Sequence, residues 1–243
     1  MPDRRRHRGP HPADAELFSR DCHAGLRSAT SDLAWLLGRG YVLPSALKLV
    51  GDRHGLRERQ RMAVFRSSCS DAQRADRYAR VVAPSRLAGK TLLIDGYNVL
   101  ITLEAALAGG VLLLGRDGCL RDLASLHGHF KHVEETEPAL HLLGEVLSTW
   151  GVAACVVYLD RPVSNSGRLA ALMRAVADAN GWPWTVEPVP SPDAVLRSSE
   201  EIIATADSAV LDAGGPWFNL ACQIVATRLP EATWIDLGAP TKS

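Results

Sequence analysis

The chain has 243 residues, 47% of them hydrophobic and 22% charged, with a formal net charge of zero. That is the profile of a soluble globular protein with one sizeable core, or one core and a small satellite domain. No apolar run approaches the ~20 residues of a membrane helix. The N-terminal MPDRRRHRGPHPADAELF has no apolar stretch behind its positive charges, so it is not a secretory signal, and the cytoplasm is the expected location.

The neutral total hides an asymmetry. Residues 1–90 hold 18 Lys and Arg against 9 Asp and Glu, and residues 91–243 hold 9 against 18. A basic half can attract nucleic acid. The alternative is that the two halves attract each other. The five cysteines, Cys22, Cys69, Cys119, Cys155 and Cys222, lie far apart with no zinc-type spacing, and read as buried thiols.

In chain order, residues 1–12 are rich in Arg, His and Pro and are expected to be a disordered basic tail. Residues 13–82 read as a small basic helical domain. LRSATSDLAWLLGRGY sets Leu26, Leu33, Leu36 and Leu37 at helical spacing, with Gly38 and Gly40 able to end the helix. LPSALKLVGDRHGL predicts a second helix stopped near Gly51. RERQRMAVFRSSCSDAQRADRYARVV predicts a third, studded with arginine. Residues 83–90, APSRLAGK, form a linker.

Residues 91–243 change to strands alternating with helices. The predicted strands are TLLIDG, VAACVVYLD, WTVEPV, EIIATAD and ATWIDL, with helices over 134–149, 167–180 and 216–228. Continuous apolar strands separated by helices predict an α/β fold, a parallel sheet covered on both faces.

Ligands of such sheets bind at the carboxyl ends of the strands. Asp95 ends the first predicted strand, Asp160 the second and Asp207 the fourth. On neighbouring strands these three carboxylates converge. They would raise one another's pKa unless a cation sat among them, and hard cations such as Mg²⁺ or Mn²⁺ prefer oxygen ligands. The chemistry of such a site is metal-assisted attack of water on phosphate. The competing explanation is that each aspartate caps the helix or turn after its strand. Asn98 is expected to add an amide oxygen or hold a water, and Gly96 to let the backbone pass close to a ligand. Asp212, five residues after Asp207, is a further candidate ligand, or the start of a helix. Glu104 is expected to face the same edge.

Weaker signals surround these. In SNSGR, Ser164 or Ser166 is expected to cap a helix, and the free N–H groups there, with Asn165 and Arg168, could hold a phosphate. His127, His129 and His132 cluster without a zinc pattern and read as surface or nucleic-acid contacts. GRDGCLRD lies in a long insert at 109–132. Arg53, Arg57, Arg59 and Arg61 are the candidate contacts of the basic domain to a nucleic-acid backbone, a binding mode that weakens steeply with salt.

LLIDGYNVL, followed much later by ATADSAVLD, resembles the PIN-like nuclease superfamily and its NYN branch. The resemblance implies RNA cleavage with Mg²⁺ or Mn²⁺, with Asp95 and Asn98 in the first motif and Asp207 with Ser208 in the late one. The whole chain also resembles the two-domain family of domain-of-unknown-function 434 proteins, through LLGRGY, ALKLVGDRHGL, DGYNVLITLEAALAGG and DRPVSNSGRL. The expected activity is therefore that of a metal-dependent ribonuclease or phosphodiesterase. Ala209 stands where NYN-type members carry a second acidic residue, and it supports the alternative of a non-catalytic RNA- or nucleotide-binding protein. A haloacid-dehalogenase phosphatase is disfavoured because Tyr97 occupies the place of its second aspartate. The first strand is followed by no GxGxxG, which disfavours a dehydrogenase. No membrane partner is expected, and a homo-oligomer is left open.

Overall fold

The structure, a computed structural model, describes residues 8–124 and 130–239. His127 and His129 lie outside the described residues, as does the tail before Arg8.

The N-terminal region is helical: α1 Asp14–Leu17, α2 His23–Leu37, α3 Leu43–Arg53, α4 Glu58–Ser67 and α5 Asp71–Arg80. Two details differ from expectation. The second predicted helix runs through Gly51, whose missing side chain makes room for the Arg61 guanidinium; a Cβ there would stand 2.3 Å from Nη1. The third predicted helix is two. It breaks at Ser68, and Ser70 starts α5 by accepting a hydrogen bond from Gln73 N while the Gln73 side chain accepts from Ser70 N. That reciprocal cap stabilises the break.

The α/β region holds β1 Thr91–Asp95, α6 Gly96–Leu107, β2 Leu112–Leu114, β3 Leu120–Asp122, α7 Thr136–Thr149, β4 Ala154–Asp160, α8 Ser166–Asn180, β5 Trp184–Val189, α9 Pro192–Arg197, β6 Ile202–Ala204, α10 Ser208–Leu211, β7 Trp217–Phe218, α11 Leu220–Arg228 and β8 Trp234–Asp236. The main sheet is parallel, in the order β5-β4-β1-β6-β7. From β1 the chain moves outward through β4 to β5, then crosses back to β6 and β7. Such a reversal leaves a crevice beyond the carboxyl ends of the strands. The β1 strand is central and α6 is buried on nearly all sides, which is why LLIDGYNVLI is apolar over so long a stretch.

Two elements depart from the predicted sheet. ATWIDL does not join it: β8 pairs with β2, which pairs with β3, in a second sheet of three strands. The predicted helix over 216–228 begins instead as the edge strand β7, because Trp217 and Phe218 are needed in the core.

The long insert thus has a structural use. Leu113 of β2, with Leu123 and Leu237 just after β3 and β8, shares one apolar cluster with Leu26, Leu33, Val50 and Val64 of the helices. A second latch lies at the sheet edge, where Val82 N donates to Trp217 O and Trp217 Nε1 donates to the Arg77 carbonyl. The charge asymmetry is also used internally. Arg66 faces Asp122, Arg77 binds Asp117 and Asp212, and Asp71 accepts from Arg116.

Candidate functional site

β4, β1 and β6 are neighbours, so the strand-end aspartates do come to one edge. A cavity of about 410 Å³ opens there, and Asp95, Asp160 and Asp207 all line it. Two further carboxylates join them: Asp193, from α9 just beyond β5, and Asp122, at the end of β3. Tyr97, Asn98, Thr102, Arg121 and Ser208 complete much of the wall, and α4 closes it with Phe65 and Arg66.

Asp95 sits deepest and is buried. Its Oδ2 accepts from the Thr205 hydroxyl at 2.8 Å, and its Oδ1 caps α6 by accepting from Asn98 N at 3.4 Å. Burial pushes its pKa up to about 7; the Thr205 and Asn98 hydrogen bonds work against that rise, and Asp193 and Asp207 add to it by repulsion. Burial and the Asp193 charge raise Asp160, and burial and the Asp207 charge raise Asp193. The carboxylates thus feel one another across the cavity. Five of them face two guanidiniums, and Arg121 is already committed to both oxygens of Asp117 and to the Ala206 carbonyl.

Asp207 does double duty. Its Oδ1 caps α10 by accepting from Ala209 N and Val210 N, so capping and site membership coexist there. The Asn98 side-chain oxygen accepts from Ala206 N at 2.7 Å and fixes the turn that carries Asp207. Gly96 faces β4 rather than a ligand: a Cβ would lie 2.8 Å from the Tyr158 carbonyl oxygen and 2.6 Å from Leu159 Cδ2.

Several candidates lie elsewhere. Asp212 accepts from Arg77 and Gln73 and does not line the cavity. Glu104 is fully buried, holding Arg8 Nε at 2.8 Å and the Thr136 hydroxyl at 2.6 Å. The α8 cap falls on Asn165, in the left-handed region at φ 70°, rather than on Ser164 or Ser166. Asn165 Nδ2 donates to the Phe130 carbonyl and the Ser166 hydroxyl donates to the Arg161 carbonyl, and neither they, Ser164 nor the exposed Arg168 lines the cavity. Arg53 and Arg57 pair with Asp32 and Glu16. Arg59 grips Asp14 through two nitrogens, and Arg61 binds Asp52 and the Leu56 carbonyl. His132 lies 3.6 Å from Glu137.

Asp193, Asp122, Phe65 and Arg66 line the cavity without being among the residues the sequence singles out. Asp193 had a signal: SPDAV follows WTVEPV, the predicted strand without a terminal acid. Asp122, Phe65 and Arg66 had none, since only tertiary packing brings α4 and the hairpin to the sheet edge.

Among the described residues, no group of three or more His, Cys, Asp or Glu is placed to hold a metal ion directly. The donors are all oxygen and repel one another, which suits a hard cation that keeps several waters and takes only one or two carboxylates directly. No helix among the described residues is long and apolar enough to cross a membrane.

Residues 84–223 match the family described as a domain of unknown function, DUF5616, and residues 25–80 match the protein of unknown function family DUF434. The cavity takes residues from both segments. The chain is also similar to the Methanocaldococcus jannaschii protein named "Uncharacterized protein MJ0935", at 33% identity over 186 residues, covering 76% of this chain and 88% of that one. No solved structure matches.

Proposed function

This chain belongs to the DUF5616 family, with the DUF434 segment ahead of it, and from its cavity we propose a divalent-cation-dependent phosphodiester hydrolase acting on RNA. The observation that carries the reading is the meeting of Asp95, Asp160, Asp193 and Asp207, which follow four adjacent parallel strands, in one open cavity. Acids that raise one another's pKa in this way are characteristic of functional sites. The resemblance of LLIDGYNVL and ATADSAVLD to PIN-like, NYN-type nucleases supports RNA over DNA.

Asp160, Asp193 and Asp207 would hold Mg²⁺ or Mn²⁺, directly or through its waters, with Asp95 beneath them. When bound, the ion supplies neutralisation of phosphate charge and a more acidic water. Thr205 and Asn98 keep Asp95 and the Asp207 turn in place. Arg66, which also lines the cavity, would supply positive charge toward a phosphate.

Ala209 favours a second reading, a protein that binds RNA or a nucleotide without cleaving it. The two are separated by incubating the protein with mixed single-stranded and structured RNA in Mn²⁺, Mg²⁺ or EDTA, beside Asp95→Asn and Asp160→Asn. Metal-dependent cleavage lost in both variants supports hydrolysis. A folded protein that cleaves in no metal overturns it in favour of the binding reading.

A further inference from the structure

We infer that the cavity is a nucleoside-phosphate subsite, with the base stacked on Phe65, the phosphate held by Arg66 and a hydrogen bond made by the Tyr97 hydroxyl. The inference rests on the cavity being a ligand site, as proposed above, and adds what it takes and which residues choose it.

Three other residues that line the cavity point the same way. Phe65 is 39% exposed, a large apolar ring left at the rim of an otherwise acidic cavity. Bases of single-stranded nucleic acid stack on exposed aromatic rings, a contact tolerant of base identity because every base has a π-face. Arg66 is the next residue. Its guanidinium donates to the Asp122 carbonyl at 2.6 Å and to the Ala124 carbonyl at 3.2 Å. Those bonds, with an Asp122 carboxylate oxygen 3.5 Å away, fix its plane at the cavity wall and use two of its five N–H donors among the described residues.

Tyr97 is the third. It is only 3% exposed, its ring packs 5.5 Å from that of Phe130, and its hydroxyl has no hydrogen-bond partner among the described residues. Buried hydroxyls are rarely left without a partner, because the loss of water is then uncompensated. This one lines the cavity, within electrostatic reach of Asp160. A phosphate or ribose oxygen would supply what the protein does not.

Size narrows the ligand further. About 410 Å³ lies in the range of small-molecule sites and suits one nucleotide, not a duplex. The nucleotide could be free or the end of a single strand; the chemistry recognised is the same.

The test is calorimetric titration in Mg²⁺ with three probes: adenosine 5′-monophosphate, ribose 5-phosphate and a short single-stranded RNA. The expected result is adenosine monophosphate at least about tenfold tighter than ribose 5-phosphate, the lower end of what one stacked base contributes. Phe65→Ala should erase that ratio while sparing ribose 5-phosphate. Tyr97→Phe, which keeps the ring, should weaken both. Phe65 is partly exposed, so its variant should fold, and Phe65→Tyr, keeping a stacking face, should restore the ratio. If RNA binds more than tenfold tighter than the mononucleotide, the subsite serves a strand end; equal affinities assign it to free nucleotides. No binding of any probe, or a ratio that ignores Phe65, overturns the inference. Adenosine monophosphate has no phosphodiester bond, so its binding is independent of hydrolysis. Binding with uncut RNA sinks the hydrolase reading alone, and cut RNA with an indifferent Phe65 sinks the subsite alone.

Discussion

Thr205 donates its hydroxyl to Asp95 Oδ2 at 2.8 Å, joining the end of β1 to the turn after β6, and both residues are buried. The bond favours the ionised acid but does not match the cost of burial, which lifts Asp95 to a pKa of about 7. The folded chain therefore holds a proton that the unfolded chain releases near pH 4. The resulting stability is fully present below about pH 4 and is lost as pH rises through about 7. Each pKa unit corresponds to about 1.4 kcal/mol, so removing the charge should stabilise the metal-free protein by on the order of 4 kcal/mol at pH 8. Asp95→Asn keeps the shape and a capping oxygen. It should raise the Tm at pH 8 by several degrees and leave it little changed at pH 4. Thermal melts in EDTA at the two values check this; a variant no more stable than the parent at pH 8 would show that Asp95 is not the strained acid. In the parent at pH 8, Mn²⁺ should raise the Tm, and Asp95→Asn should shrink that shift.

Gly96 controls how closely α6 approaches β4. The atoms that an added Cβ would meet include the Tyr158 carbonyl, which is held in the sheet and cannot retreat as a flexible side-chain end could. Gly96→Ala should cost on the order of 1–3 kcal/mol, the usual range for overpacking, read as a lower urea midpoint. The same shift would move the Asp95 cap, so any Mn²⁺-induced stabilisation should fall with it.

Where sequence was enough, the reason is local. The apolar runs of β1 and β4 and their terminal aspartates could be read residue by residue, because a buried parallel strand needs an uninterrupted apolar run and a ligand edge sits at its carboxyl end. The α/β class and the meeting of Asp95, Asp160 and Asp207 followed from that. What could not be read depended on distant partners. ATWIDL has the pattern of a strand, but nothing in it says that β2, not β7, is its neighbour. Arg53, Arg57, Arg59 and Arg61 look like a phosphate-binding row until Asp14, Glu16, Asp32 and Asp52 are seen beside them. Phe65 and Arg66 lie in the helical segment, some thirty residues before Asp95, and only the packing of α4 on the second sheet brings them to the cavity.

Ser70 and Gln73 explain why one arginine-rich stretch folds as two helices. The Ser70 hydroxyl accepts from Gln73 N at 3.2 Å and Ser70 N donates to Gln73 Oε1 at 2.9 Å. Ser70→Ala should cost about 1 kcal/mol, as loss of an N-cap usually does. Because α5 carries Arg77, hydrogen exchange should rise first in α5 and at the Val82–Trp217 latch. Uniform destabilisation without that local signature would argue against the cap as the cause.

Asp117 joins the helical region to the site. It receives Arg77 Nη1 at 2.5 Å and both terminal nitrogens of Arg121 at 2.7 and 2.9 Å, and Arg77, Asp117 and Arg121 are all buried. The two guanidiniums hold Asp117 well below the usual carboxylate range despite its burial. Arg121 then donates from Nε to the Ala206 carbonyl, whose N–H is held by Asn98, so the turn before Asp207 is gripped from both sides. Removing the shared anion leaves two buried cations; among the described residues, Arg77 retains Asp212 and Arg121 retains only a carbonyl. Breaking a buried ion pair by deleting one partner typically costs 3–5 kcal/mol. Asp117→Ala should lose about that much in urea denaturation. Asp117→Asn keeps the acceptor oxygen but not the charge, and should lose less. If Asp117 only stabilises the fold, the Mn²⁺ shift of the Asn variant, measured where it is fully folded, will equal that of the parent. A reduced shift would mean that the network also sets the position of Asp207.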